Sequence, residues 1–137
     1  MNPAEPQPRR YRLPRKARLR KTDEFQQVYK GGQRAGDGHL LVFAAPNTLG
    51  WTRVGVSVSR KHGKAVRRNR LKRLLREAFR LSQHELPSGL DLILIPRQCE
   101  QPRLIDYQRS LKRLAWRLAR RIRRRQAASA QNSTEPS

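Results

Sequence analysis

The chain has 137 residues, enough for one compact domain and too few for two ordinary ones. It carries 32 Lys and Arg against 10 Asp and Glu, a formal net charge of +22, with hydrophobic residues at 36%. A field of that size repels itself in a compact state unless a polyanion neutralises it, which favours a nucleic-acid partner over an anionic membrane surface. The single cysteine, Cys99, can form neither an intramolecular disulfide nor a zinc site by itself. Met1 to Arg10 holds no apolar stretch of the kind a secretory signal needs, and Leu90 to Pro96, interrupted by Asp91, is far too short to span a bilayer. A cytoplasmic, reducing setting is expected, with no membrane partner.

Residues 1–14 are rich in Pro, Arg and Gln and are expected to form a disordered basic arm ahead of one domain over 15–125. Thr22 is the expected N-cap of a first helix, with Asp23 and Glu24 in its first turn, where the helix dipole favours negative charge. Phe25, Val28 and Tyr29 fall at i, i+3, i+4 and give it one apolar stripe; Lys30 and Gly31 stop it. Gly36 to Gly38 is a turn, and Leu40 to Ala45 a strand ended by Pro46-Asn47. Thr52 to Ser59 alternates, with Thr52, Val54, Val56 and Val58 on one face. The other face has small side chains and Arg53; an extended chain could lie on it, or it could face water.

A second helix is predicted from Lys64 to about Leu86. Leu71, Leu74, Leu75, Ala78, Phe79 and Ser82 share its apolar face. Pro87-Ser88-Gly89 breaks it. Leu90 to Ile95 is apolar on most of both faces and so a central strand, ended by Pro96. Asp106 is expected to cap a final helix buried along Tyr107, Leu111, Leu114, Ala115, Leu118 and Ile122, with Arg and Lys around the rest. Trp116 falls off that stripe and either stacks on a bound nucleic acid or, the favoured reading, packs at the sheet edge. Residues 126–137 are expected to be a disordered tail. The order helix, strands, helix, strand, helix gives an α+β sandwich with helices packed on a small sheet.

The informative segment is Ser57 to Phe79. A strand ends, a basic loop turns on Gly63, and a helix begins with cations on its first turns. Cations there oppose the helix dipole and repel one another. Stability does not account for them, and a phosphate backbone does. The run Lys64-Ala65-Val66-Arg67-Arg68-Asn69-Arg70-Leu71-Lys72-Arg73 resembles the "RNR" signature of the bacterial ribonuclease P protein family, with Arg68-Asn69-Arg70 as the triplet. Val54 to Lys61 is similar to the family's strand leading into that motif, and Arg18 to Tyr29 to its first helix. The resemblance covers about Arg18 to Arg125. Lys64 departs from it, since the family commonly has Asn after the glycine.

The resemblance implies a two-layer α/β sandwich like the second domain of ribosomal protein S5, with a left-handed βαβ crossover. It implies a protein subunit, one per catalytic RNA, in an endoribonuclease that removes the 5′ leader of precursor tRNA. Catalysis would reside in the RNA, with Mg2+ held mainly by that RNA and no catalytic or metal-binding residue on the protein. Arg60, Lys61, Lys64, Arg67, Arg68, Asn69, Arg70, Lys72, Arg73 and Arg76 would dock on the RNA subunit. Phe25, Tyr29, Phe43 and Ser57 would line a cleft for the single-stranded leader, where rings stack on unpaired bases without regard to sequence. Phe25 suits core and cleft equally; Tyr29, able to keep its hydroxyl at a wet edge, leans to the cleft.

The residues offer no protein-only active site. The ten acids are scattered, the adjacent pair Asp23-Glu24 belongs to a helix start, and His39, His62 and His84 are isolated in sequence. His62, in the basic loop, is either incidental or a phosphate contact. A ribosomal protein or RNA chaperone would share charge and fold but not the RNR setting with the Phe25 and Tyr29 helix. A DNA-binding regulator wants a helix-turn-helix or a dimer surface, and here a strand and a glycine loop precede the basic helix.

Overall fold

The computed structural model describes residues 13–134. Its elements are α1 (Thr22–Gly31), β1 (Gln33–Gly36), β2 (Leu40–Pro46), β3 (Arg53–Val56), α2 (Ala65–Ser82), β4 (Leu90–Pro96) and α3 (Leu104–Thr134), with single 3-10 turns at Arg15–Ala17, Arg60–His62 and Gln83–Glu85. The strands form one sheet in the order β1-β2-β4-β3. β2 pairs antiparallel with β1 and with β4, while β3 and β4 are parallel and joined through α2.

Side-chain alternation divides the molecule. Leu40, Val42, Ala44, Val54, Leu92 and Leu94 point to one face, where α2 and α3 cover them with Leu75, Phe79, Leu111, Leu114 and Leu118. Ile93 points to the other, where Leu19 and Val28 bury it with Phe25, Phe43, Ala45 and Ile95 packed around. The mixed α+β sandwich expected from the sequence is therefore present, with α1 laid across the opposite face. β4 is central, as its two apolar faces require. Its one acid, Asp91, is buried and takes two hydrogen bonds from the Arg53 guanidinium, at 2.9 and 2.7 Å.

Several local expectations are corrected. β1 was not legible: Gln33-Arg34-Ala35-Gly36 has no apolar alternation, only Ala35 is buried, and pairing with β2 imposes the extended backbone. β3 is shorter than Thr52 to Ser59, although the Ser57 N–H still donates to the Leu94 carbonyl at 3.0 Å. α2 ends at Ser82, passing into the 3-10 turn before Leu86. Lys21, not Thr22, is the N-cap of α1. The Glu24 carboxylate supplies the end contacts, accepting from the N–H groups of Arg20 and Lys21 at 2.9 and 3.0 Å. Asp106 is the third residue of α3 rather than its cap, and its carboxylate receives the Arg103 guanidinium.

Both ends of the domain also move. The basic arm expected over 1–14 lies outside the described residues except for Leu13 and Pro14, and Leu13 is buried in the main core. The stretch expected as a disordered tail from residue 126 continues α3 to Thr134. Ala, Gln and Arg have high intrinsic helix propensity, and a helix already nucleated by packing extends at little cost. Among the described residues no helix is long and apolar enough to cross a membrane.

Candidate nucleic-acid interface

The basic segment begins where β3 ends. Arg60 and Lys61 stand exposed on a 3-10 turn whose third residue, His62, is buried at 8% exposure. Its Nε2–H donates to the Pro96 carbonyl at 2.9 Å, so His62 pins the loop to β4 and is not a phosphate contact. Gly63 then turns at φ +117°, in the region that favours glycine, and any Cβ there would meet Arg67 Cδ at 3.0 Å. Lys64 is the N-cap of α2, without a side-chain cap.

No carboxylate occurs between Lys61 and Glu77. Each cation near the N-terminus of α2 costs up to about 0.3–1 kcal/mol against the dipole. Burial of Leu71, Leu75 and Phe79 contributes ~1.5–3 kcal/mol apiece and outweighs that cost, so packing rather than charge makes this segment a helix.

The ten residues expected to meet RNA fall into three groups. Asn69, Lys72, Arg73 and Arg76 line one shallow groove of about 410 Å3 with the exposed Val66. Lys61 and Arg67 border a second hollow of about 300 Å3, beside His62 and the loop from Gln98 to Glu100. Arg60, Lys64 and Arg68 stand at the Gly63 turn, and Arg70 is exposed on α2 one and a half turns further on. Arg67 donates to the Cys99 carbonyl at 2.6 Å and Arg68 to the Gly63 carbonyl at 3.2 Å, so these two guanidiniums also brace the loop.

Sequence reasoning missed Arg18. It bridges to Val54 in a short extended segment running parallel to β3, its guanidinium donates to the Leu13 carbonyl at 3.1 Å, and its charge is felt at Arg76. Partial desolvation, and then the neighbouring Arg18 charge, hold Arg76 below its ordinary value. Two guanidiniums brought together without a carboxylate are a poor arrangement for an isolated protein and a good one for a phosphate. The alternation of Leu19 with Arg18 and Arg20 was the available signal.

The second region lies on the α1 face. Gly55 passes directly beneath Phe25, where an added Cβ would stand 2.5 Å from Phe25 Cζ. Tyr29 meets Phe43 edge to face, with ring centroids 4.9 Å apart at 85°. Tyr29 is 36% exposed; Phe25, Phe43 and Ser57 are half-buried. Beyond the two rings an uncovered strip of sheet runs from Ser57 through Ile95 and Leu41 to Gly36. The structure thus brings Phe25, Tyr29 and Phe43 together along one wall, with Ser57 at one end of the floor.

Arg53 does not contribute to that strip. It is held between Glu24, at 3.0 Å, and Asp91, and ties the start of α1 to the sheet. Arg97 does contribute, and was not anticipated: it follows Ile93 and Ile95 on the same face, and its guanidinium occupies the space a Gly36 Cβ would need. Trp116 is not at the sheet edge: it is 37% exposed, and its indole N–H donates to the Glu85 carbonyl on the 3-10 turn after α2 at 2.8 Å. Among the described residues no group of three or more His, Cys, Asp or Glu is placed to hold a metal ion.

The described geometry has close counterparts. The family model for ribonuclease P matches residues 13–120. The ribonuclease P protein component of Desulfovibrio desulfuricans is 42% identical over 124 residues, covering 89% of this chain and 95% of that one. The solved ribonuclease P protein of Thermotoga maritima superposes with a TM-score of 0.65 at 34% identity, over 71% of this chain and 96% of that one. The Staphylococcus aureus protein gives 0.63 at 33%, over 72% and 91%.

Proposed function

The chain belongs to the ribonuclease P protein family, and on that footing we propose that it is the protein subunit of a ribonuclease P, acting in tRNA processing. One copy binds one catalytic RNA through the cationic outer face of α2, and the strip beside α1 receives the single-stranded 5′ leader of precursor tRNA. The observation that carries this reading is the pairing of a guanidinium face lacking any carboxylate from Lys61 to Glu77 with an open, ring-walled strip on the opposite face of the sheet.

The division of labour follows from the groups present. Arg70, Lys72, Arg73 and Arg76 neutralise phosphates and release counterions, which gives affinity without base specificity. Tyr29 and Phe43 offer ring surface to unpaired bases, which a duplex cannot present. Mg2+ ions held by RNA phosphates supply the hydrolytic chemistry. The protein holds the leader and screens the repulsion between two polyanions, so that substrate and metal bind at lower Mg2+ concentration.

Cleavage of a precursor tRNA by a bacterial ribonuclease P RNA at low Mg2+, with and without this protein, tests the reading. Protein plus RNA should cut at the mature 5′ end where neither component does so efficiently. Unchanged RNA-catalysed cleavage would leave a general RNA-binding protein, and cleavage by the protein alone would move the chemistry to the chain itself.

A further inference from the structure

The edge of the sheet farthest from α2 carries a second line of cations that neither region above includes. Arg113, Arg117, Arg121 and Arg124 recur at helical spacing on one exposed side of α3. Two of them fix that side against β1: Arg113 pairs with Asp37 just after the strand, and Arg121 donates to the Arg34 carbonyl at 2.9 Å. Arg117, between these anchors, and Arg124, beyond them, have no carboxylate partner among the described residues. Like charges three and four residues apart destabilise a helix, so Arg117 and Arg124 are not explained by the stability of α3. Arg121 and Arg124 also lie beyond the stretch matched by the family model, which ends at residue 120.

The stripe continues the ring-walled strip. Phe43, which meets Tyr29, pairs in register with Arg34 on the outermost strand, so the two side chains are neighbours on the α1 face. Past Arg34 the sheet ends, and the next side chains around that edge are those of Arg121 and its neighbours. The extension of α3 also reaches the end of α1, since Gly31, Gln33, Ile122 and Arg125 share a groove of about 180 Å3. A chain leaving the Tyr29–Phe43 pair across β1 therefore meets Arg34 and then the α3 arginines. The α2 face lies at the β3 edge of the same sheet, three strand spacings away or roughly 15 Å. Continuity with the ring-walled strip, through Phe43 and its cross-strand neighbour Arg34 to Arg121, makes the single-stranded substrate proposed for that strip the fitting occupant.

We propose that Arg34 and the α3 stripe of Arg117, Arg121 and Arg124 form a distal track for the 5′ leader, engaging nucleotides farther from the cleavage site than those held by Tyr29 and Phe43. The proposal rests on the leader reading given above. It assigns to this chain a preference for long leaders, exerted through the phosphate backbone and therefore independent of leader sequence.

The test uses holoenzyme reconstituted with a bacterial ribonuclease P RNA. Affinity is measured for mature tRNA and for precursors with leaders of about 4 and about 15 nucleotides, spanning the usual range of single-strand site sizes. Replacing Arg117, Arg121 and Arg124 together with Ala should abolish the advantage of the long leader, on the order of tenfold, and lower its salt slope by about 2. Affinity for the short leader, for mature tRNA and for the RNA subunit should stay as in the parent, and the corresponding triple Lys variant should keep most of the advantage. An equal loss on short and long leaders, weaker binding of the RNA subunit, or no change in any affinity each overturns the proposal. Tyr29→Ala separates the two levels. If it weakens mature and precursor tRNA alike, the leader reading itself fails. If its loss is confined to precursors while the Ala triple has none, only the distal track falls.

Discussion

The outer face of α2 and the strip beside α1 are built from opposite materials. The first is centred on a groove of guanidinium and ammonium groups, Lys72, Arg73 and Arg76, joined by Asn69 and Val66, with no ring and no acid in its lining. The second is a stretch of sheet bounded by two rings in edge-to-face contact, with Glu24 and Asp91 taken by Arg53 and Asp37 by Arg113. A surface of the first kind gains affinity from every phosphate and cannot tell one RNA from another. A surface of the second kind gains little from charge and discriminates by strandedness, because only unpaired bases expose their faces. Under the proposed function, one small domain would separate holding from selecting by placing them on opposite faces of its sheet.

The largest effect that could break this contrast is at α2. Replacing Arg70, Arg73 and Arg76 together with Ala should weaken binding of the RNA subunit on the order of a hundredfold and lower the salt slope by about 3, with the ratio of precursor to mature tRNA affinity unchanged in the holoenzyme that still forms. A filter-binding titration across salt concentrations reads both. A parallel fall in leader discrimination would mean that the two faces do not act separately.

A smaller effect should appear at Gly55. Valine there collides with Phe25 and forces α1 outward, costing about 1–3 kcal/mol of stability. Leader discrimination should fall while affinity for the RNA subunit holds, the mirror image of the arginine variant. If discrimination survives in a folded Gly55→Val protein, the wall made by α1 is not what selects the leader.

The smallest concerns acid. Glu24 sits below its ordinary value of 4.5, held there first by the N–H groups of Lys21 and Arg20 and then by Arg53. A depressed carboxylate contributes stability that is complete above the ordinary value and is lost as pH falls through the lowered one. Glu24→Gln should therefore be less stable than the parent by at most about 1 kcal/mol near neutrality, the carboxylate being partly exposed, and the gap should narrow as pH falls below the ordinary value of 4.5. Urea midpoints on either side of that value would show it; a gap that widens in acid would contradict the assignment of Glu24 as the anchor of α1.

Helices α1, α2 and α3, strands β2 and β4 and the buried stripe from Tyr107 to Ile122 were legible because each carries its own apolar periodicity, which local sequence fixes whatever the neighbours do. The cationic identity of α2 was equally plain, since charge needs no partner to be read. β1 was not, because Gln33 to Gly36 becomes a strand only when β2 lies beside it. The extension of α3 past residue 126 was obscured by its polarity: intrinsic helix propensity matters there only once a packed helix precedes it. Phe25 could not be assigned before Gly55 was seen beneath it, and His62 could not be separated from the basic loop before its ring was found on Pro96.

Sequence by itself determined that this protein is a basic α+β domain with one helix whose first turns are densely cationic. Tertiary structure alone decided which cations stand together, bringing Arg18 to Arg76, Arg97 to Gly36 and the α3 stripe to the edge of β1. It also decided which aromatic side chains stay open. Periodicity is a property of neighbouring residues and survives in the linear chain, whereas a site is a juxtaposition of residues tens of positions apart and exists only after the sheet has ordered its strands.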